Sequence, residues 1–315
     1  MTDFIVKRLI WLLPIMLVTS MISFSVLFLC PGDPAELILL RELKREATVE
    51  EVAYFKATHG LDKPVLIQYV NWLSKAVRGD MGVSLTTGEP VFQEYIKRFG
   101  VSLQLVLMSQ IISLGIAIPM GIISAVKANS KTDHICRLVA MTGVSLPSFW
   151  LALLLIYFFS VRLGWLPVCG YGEPKHFILP VITVGISGAM SLMRLTRTSL
   201  LEVLRLNYVR TARAKGLPEK TVVIRHAWRN AMIPVVTAIG LHLSHVTTGM
   251  VIVETLFGWP GIGGFLIRAI AARDFPVIQA FVFMGALIFV LLNLAVDVLY
   301  ARLDPRIALC NKGSN

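Results

Sequence analysis

Two histidines and a glutamate lie in or beside one apolar run of the chain. His242 and His245 are three residues apart in the run Met232–Val253, so a helix would place both imidazoles on one face. Such a pair can share a metal ion or line a path for a polar solute, because ionisable groups within a span usually face a cavity. Glu254 follows the run and fits the same interpretation. The structural alternatives are a polar seam between helices for the histidines, and a cap on the following turn for Glu254.

A second chemical feature is the basic segment Arg194–Asn230, which carries nine Lys or Arg against two Glu. It separates two apolar runs, so the charge pattern places it on the cytoplasmic side, and its interleaved apolar residues predict that it docks on a partner. We expect a helix over Arg194–Lys215, an end at Gly216 and a short helix over Pro218–Trp228. The alternative is a solvated basic loop attracted to lipid. The small residues that would let a partner approach closely are Ala212, Ala214 and Gly216.

The elements that must position these groups are membrane helices. The chain of 315 residues is 56% hydrophobic with a mean hydropathy of +0.72, which is too apolar for a water-soluble fold of this size. Crossing a bilayer takes roughly 20 apolar residues. The six candidate runs are Leu9–Leu29, Val101–Val126, Leu138–Val161, Phe177–Met193, Met232–Val253 and Val277–Tyr300. The predicted fold class is therefore all-α integral membrane, with about six transmembrane helices and a cytoplasmic helix-turn-helix.

The distribution of charge predicts the orientation and the organisation of the chain. Lys and Arg precede the first run, join the second run to the third and the fourth to the fifth, and follow the sixth, so both termini should be cytoplasmic. The net charge of +11 then lies mainly on the inner face, and nucleic-acid binding is not needed to explain it. We expect an N-terminal transmembrane helix (1–30), a small extracytoplasmic helical cap (31–100) with helices Glu36–Thr58 and Val65–Val77, a membrane core (101–300) that includes the basic loop 194–230, and a cytoplasmic tail (301–315).

Known catalytic patterns are missing from the sequence. It has no GxxxxGK[ST] loop to hold ATP phosphates and no HExxH or informatively placed GxSxG, so any energy source must be another chain. The four cysteines are scattered without zinc-site spacing, although Cys30 and Cys169 would both lie near the outer face and could pair. An ion-coupled transporter using the two histidines and Glu254 as a proton relay is the rival hypothesis. A membrane-embedded hydrolase is a weaker one.

The basic segment contains motifs that resemble a known family. Tyr208–Leu217 followed by Arg225–Pro234 resembles the coupling loop, a variant of the EAA motif, of binding-protein-dependent ABC importer permeases of the peptide/nickel class. The chain departs from the general motif by carrying Arg210-Thr211 where other classes have Glu-Ala, and by a longer distance to Pro234. Further segments that look like this class, in its order, are Pro31–Pro34, Gly60–Pro64, Gln68-Tyr69, Gly79–Ser84, Ser145–Trp150 and Glu254–Gly263.

The resemblance implies a non-catalytic permease subunit in the inner membrane. Its implied partners are a second homologous permease, two ABC ATPase subunits that hold ATP and Mg, an extracytoplasmic substrate-binding protein and membrane lipid; no cofactor is implied on this chain. The residues implied to contact the ATPase are Arg210, Thr211, Ala212, Arg213, Ala214, Lys215, Gly216 and Leu217.

The cargo is harder to predict than the class. The short outer connection Leu166–His176 and the placement of His242 are more similar to nickel permeases than to peptide permeases, so a nickel ion or chelate is the preferred cargo and a dipeptide or oligopeptide the alternative. We also expect the segment Phe257–Gly263 to form a re-entrant or outer hairpin near the mouth of the path, because its Gly and Pro residues cannot continue a span.

Overall fold

The computed structural model describes residues 2–29, 33–43, 45–244 and 250–303, which are helical apart from turns and one isolated bridge between Val83 and Pro90. The helices are α1 Thr2–Leu29, α2 Pro34–Leu43, α3 Val49–His59, α4 Val65–Val77, α5 Val91–Val126, α6 Lys131–Ser145, α7 Ser148–Leu155, α8 Pro174–Leu204, α9 Asn207–Ala214, α10 Glu219–Thr221, α11 Trp228–Ser244, α12 Val251–Leu256, α13 Ile262–Ala271 and α14 Phe275–Leu303. Two π-helical segments extend α7 (Ile156–Arg162) and join α10 to α11 (Val222–Ala227). The predicted all-α class is confirmed.

Several helices are long and apolar enough to cross a membrane. In the described part of the chain these are α5, α8 and residues Phe275–Val296 of α14, while α6 and α7 qualify together as one bent pair. Residues Ile10–Ser25 of α1 form a shorter apolar helix. α5 has 36 residues, so at 1.5 Å per residue it is about 54 Å long. It therefore exceeds the hydrocarbon thickness, and its polar first turns with Glu94 and Arg98 project beyond it.

The third predicted span, Leu138–Val161, lies within a bent pair of helices. α6 and α7 meet at an angle of 100° across Leu146 and Pro147. Pro147 has no backbone N–H, and a residue before proline is disfavoured in the α-helical conformation. Leu146 is accordingly extended, with φ −81° and ψ 122°. The apolar run continues through this point, but the backbone turns.

The fifth predicted span, Met232–Val253, is described in two parts. α11 is described as far as Ser244, residues 245–249 lie outside the described part, and the short α12 begins at Val251 after Met250, which is not helical. α12 then reverses into α13 through a turn at residues 257–261, where Gly258 has a φ of 61°. The expected hairpin is therefore present as a reversal of the chain. Its side of the membrane stays a prediction.

The packing centre of the fold is the contact between α5 and α8, which is the most extensive in the described structure. Small residues allow these helices to approach closely. A Cβ added at Gly185 would lie 2.9 Å from the Ile112 side chain, and one at Gly121 would lie 2.7 Å from Thr196. Neither position can accept a side chain without displacing its neighbour. The same pair of helices carries the central cavity described below.

The segment between α1 and α5 folds into three helices rather than the two expected. The predicted helix Glu36–Thr58 divides into α2 and α3, because Thr48 starts a new helix. Its hydroxyl accepts from the Glu51 N–H at 3.3 Å, and the Glu51 carboxylate accepts from the Thr48 N–H at 2.8 Å, which is a capping box. α4 spans Val65–Val77 as predicted. It is tied to α1 by a hydrogen bond of 2.7 Å between Tyr69 and Ser20.

Candidate functional site

The helix expected over Arg194–Lys215 was wrong, because the basic segment contains a break between α8 and α9. α8 ends at Leu204, Leu206 is extended with ψ 149°, and α9 starts at Asn207. The break turns one face of α9 inward, where Val209 and Ala212 are buried in an apolar cluster with residues of α8 and of the π-helical segment. A straight extension of α8 would leave these side chains without that cover. Burial therefore gives a physical reason for the break.

α9 is also held by polar contacts. The Arg213 guanidinium donates two hydrogen bonds to the Glu219 carboxylate, at 2.6 and 3.0 Å, across the turn that follows α9. This charged neighbour raises the pKa of Arg213 and lowers the pKa of Glu219. Asn230 in α11 donates to the Tyr208 hydroxyl at 2.8 Å. Both contacts join α9 to the next helix, so α9 is fixed to the bundle on that side.

The turn itself depends on Gly216, which ends the helix as predicted. Its φ of 78° lies in the left-handed region that glycine favours, and no atom of the described chain lies within 4 Å of an added Cβ. The second expected helix, Pro218–Trp228, was wrong in extent. Helical structure runs without interruption from Glu219 through the π-helical segment to Ser244. Movement at the turn would therefore be carried directly along α11.

The eight residues implied to contact the ATPase divide by exposure. Ala212 is only 6% exposed and faces its own chain, whereas the other seven, Arg210, Thr211, Arg213, Ala214, Lys215, Gly216 and Leu217, are exposed. Small residues therefore reach the surface at Ala214 and Gly216 but not at Ala212. Leu206 and Tyr208, 47% and 41% exposed, add large apolar surface beside the cations. The motif did not single out Leu206, and exposed apolar surface beside charge is typical of a docking site.

A buried ion pair between α6 and α8 was not found by sequence reasoning. Asp133, in the first turn of α6, is 0% exposed and accepts two hydrogen bonds from Arg197 of α8, at 2.7 and 2.8 Å. The Ser124 hydroxyl of α5 donates to the same carboxylate at 2.6 Å. The network joins the ends of three helices next to α9. The feature of the sequence that could have indicated this site is Ser130. It precedes α6 and caps the helix by accepting a hydrogen bond from the Asp133 N–H.

Glu254 is placed as the cap of the hairpin between α12 and α13. Its side chain is 1% exposed. The Ser102 hydroxyl donates to its Oε1 at 2.5 Å, and the N–H groups of Gly263 and Gly264 donate to its Oε2 at 2.8 and 3.3 Å. The Ile262 N–H donates to Ser102 at 3.0 Å. Ser102 of α5 therefore occupies one carboxylate oxygen and the first turn of α13 occupies the other, and these contacts favour the capping interpretation over a role in the path.

The other sequence-predicted groups lie at the edge of the described structure. The side chain of His242 and the whole of His245 lie outside the described residues, so their shared role stays a prediction. Cys30 also lies outside them, and Cys169 is an exposed free thiol, so the pairing of Cys30 with Cys169 stays a prediction as well.

A cavity of about 300 Å³ lies between α5, α7, α8 and the start of α12. Its polar lining consists of Ser109, Gln110, Ser113, Ser148 and Ser187. Four apolar residues, Val106, Val184, Met250 and Val253, complete most of the wall. Glu254 is absent from the described lining, and no described lining residue is charged. Sequence reasoning missed this site, because single serines in apolar runs are common and their inward direction depends on helix packing.

The fold matches that of solved ABC transporters. An inward-facing structure of the MetNI methionine ABC transporter matches with a TM-score of 0.59 at 16% identity, over 67% of this chain and 97% of that chain. An amino acid ABC transporter crystallised with histidines matches with a TM-score of 0.50 at 17% identity, over 67% and 94%. At these identities the likeness concerns the fold alone.

Sequence relatives then define the family. Residues 117–309 match the binding-protein-dependent transport system inner membrane component, and residues 1–106 match the N-terminal membrane component of the same systems. The glutathione transport system permease protein GsiC of Escherichia coli strain K12 is 41% identical over 307 residues, covering 98% of this chain and 99% of the relative. GsiC of Salmonella choleraesuis strain SC-B67 matches equally well. The chain belongs to the binding-protein-dependent ABC importer permeases of the peptide/nickel class.

Membership of this family determines the general role. The chain is a non-catalytic, multi-pass permease subunit of the inner membrane, its family binds no cofactor, and ATP is hydrolysed by ATPase partners. A substrate-binding protein is the other implied partner. The predicted class, a permease subunit of an ABC importer, is confirmed. The rival hypothesis of an ion-coupled transporter is therefore set aside. The relatives compared above are named for glutathione, which supports import of the peptide class and does not support nickel specifically.

Proposed function

We propose that this chain imports a short peptide of the glutathione type, as one of two homologous permeases above two ATPase subunits. Support for this cargo comes from the relatives named for glutathione, which are 41% identical over 98% of the chain. Nickel or a nickel chelate, indicated by the short connection Leu166–His176 and by His242, is the second candidate. Identity along the whole chain outweighs these two local features, since it includes every surface that faces the path.

The main support for the proposed transport mechanism is that the two faces of α9 differ. One face is buried against α8 and the π-helical segment, and the other is basic and exposed. An ATPase that holds the exposed face can therefore move the bundle through the buried face. Shifting such an equilibrium from 1:99 to 99:1 takes about 5.5 kcal/mol of differential binding. ATP-driven closure of the ATPases would supply it, and the path would alternate between its two openings.

The proposed topology places α9 at the cytoplasmic end. Both termini are then cytoplasmic, residues 31–100 form the outer cap, and the hairpin of α12 and α13 lies on the outer side or re-enters from it. A cysteine placed at Pro260, in the turn of that hairpin, should react with an impermeant thiol reagent added from outside. Reaction only from the cytoplasmic side would overturn this orientation.

The cargo is tested with the complete complex in proteoliposomes, with ATP inside and the binding protein outside. Uptake of glutathione should depend on ATP and on the binding protein, and an excess of nickel should not reduce it. ATP-dependent uptake of nickel without uptake of any peptide would refute the proposed cargo.

The docking surface is tested by removing cations from α9. Arg210→Ala with Lys215→Ala should weaken ATPase binding by about tenfold or more, as expected for charged residues at the centre of an interface. The matched control is Lys175→Ala, which removes an exposed cation at the other end of α8. Equal ATPase binding and equal uptake in the α9 variant and the control would show that this surface does not dock the ATPase.

A further inference from the structure

Three polar groups of the cavity are buried without partners in the described part of the chain. Ser109 and Ser113 are four residues apart on α5 and therefore share a face, and each is 2% exposed. Neither hydroxyl makes a hydrogen bond within the described part of the chain, and neither does the Gln110 amide nitrogen. All three border the same cavity. Three unpaired polar groups therefore converge on one space in the middle of the longest apolar helix.

This arrangement differs from that of other hydroxyls in the same helix pair. Thr183 and Thr196 in α8 donate to carbonyl oxygens one turn earlier, at 2.8 and 2.7 Å, and Ser187 does the same at 2.9 Å. Such bonds satisfy a hydroxyl inside a membrane helix without any partner helix. Ser109 and Ser113 do not use this option. Buried unpaired groups lower stability, so their retention at a cavity points to a role in binding.

The chemistry of the lining selects the kind of group that it can hold. Serine hydroxyls and the Gln110 amide can donate to a carbonyl oxygen, whereas Met250 and Val253 offer an apolar wall. No described lining residue is charged, so nothing in the described wall pairs with the charged ends of a peptide. The cavity volume of about 300 Å³ is at the small end of ligand sites, which range from about 300 to 1,000 Å³. It therefore fits part of a short peptide.

We propose that this cavity is a subsite of the transport path that holds the neutral amide segment of a peptide. Ser109, Gln110 and Ser113 bind its carbonyl oxygens, and a small apolar or thiol side chain lies against Met250 and Val253. This inference rests on the proposed peptide cargo. Because the contacts are to the peptide backbone and carry no charge, the subsite accepts different sequences and releases them readily.

The position of the cavity beside a broken helix fits this role. Ser148, on its rim, is the first residue of α7 after the 100° bend, and Met250 is the non-helical residue before α12. Transporter sites commonly lie where membrane helices are interrupted, because the interruption frees polar groups in the middle of the membrane. A change in the bend between α6 and α7 would reshape the cavity, so its affinity would differ between the two states of the transporter.

The test removes the hydroxyls and measures transport separately from folding. In the complete complex with saturating binding protein, Ser109→Ala with Ser113→Ala should lower peptide uptake by about 25-fold. That is about fivefold for each hydroxyl, or about 1 kcal/mol for each neutral hydrogen bond. ATPase stimulation by the binding protein should be retained. The unfolding midpoint should stay equal or rise, because an unpaired buried hydroxyl is replaced by a methyl group.

Two control variants define the outcome. Ser191→Ala removes an exposed hydroxyl one turn beyond Ser187 on α8 and should leave uptake unchanged. Ser113→Thr keeps the hydroxyl and should retain most of the uptake.

Unchanged uptake in the double alanine variant would overturn the subsite while leaving the peptide cargo intact. A parallel loss of uptake, ATPase stimulation and thermal stability would assign both serines a structural role and would also overturn it. A wild-type complex that imports nickel and no peptide would refute the proposed cargo, and the subsite with it.

Discussion

Replacement of Glu254 separates its two interpretations, a cap on α13 and a member of the path. In Glu254→Ala, the N–H groups of Gly263 and Gly264 and the hydroxyl of Ser102 lose their acceptor. A buried donor without a partner costs about 1–3 kcal/mol, so the variant should lose at least about 3 kcal/mol. Glu254→Gln keeps one oxygen for the two N–H groups and turns its amide toward Ser102, so it should lose only about 1–2 kcal/mol.

The assay compares the thermal unfolding midpoint and the uptake rate of the purified complex. At about 2 °C for each kcal/mol in a chain of this size, the alanine variant should unfold about 6 °C below the wild type, and the glutamine variant about 2–4 °C below it. Uptake by folded Glu254→Gln should remain near the wild-type level. The matched control is Glu50→Gln, which removes an exposed carboxylate from the first turn of α3. If Glu254→Gln abolishes uptake at an unchanged midpoint, the carboxylate belongs to the path and the cap interpretation is wrong.

Three further predictions concern the end of the bundle that carries α9. Gly216→Trp should uncouple ATP hydrolysis from uptake. Gly216→Ala imposes the same left-handed φ on a residue with a Cβ but adds no bulk, so it should only lower stability, by about 1–2 kcal/mol. Equal coupling in the two variants would refute docking at this turn. Because Arg213 lowers the pKa of Glu219, their pair stabilises α9 at neutral pH, and this contribution is lost as the pH falls below 4.5, the ordinary value for Glu219. Amide protection in α9 should fall over that range in the wild type and not in Glu219→Gln. Arg197→Leu should cost about 3–5 kcal/mol, because it leaves Asp133 buried without its cation, and Asp133→Leu in the same chain should recover much of that loss in the unfolding midpoint.

The breaks in the helices show what apolar pattern could predict and what it could not. The run Leu138–Val161 was long enough to span, and composition carried no sign of a 100° bend except Pro147. In the basic segment, one helix boundary was predictable and another was not. Gly216 correctly marked the end of α9, since the left-handed φ is a local property. The break at Leu206 depends on burying Val209 against other helices. Local backbone chemistry was therefore predictable, and breaks that serve distant packing were not.

The sequence by itself determined the membrane class, the positions of most apolar helices, the basic segment and the family, because each depends on composition or on residues adjacent along the chain. Tertiary structure decided which side chains face one another. It buried Ala212, made Glu254 the cap of a helix contacted by Ser102, and turned Ser109 and Ser113 toward a common cavity. The physical reason is that the direction of a side chain depends on the rotation and crossing of helices distant in sequence. Those angles come from packing the whole bundle, which no single segment encodes.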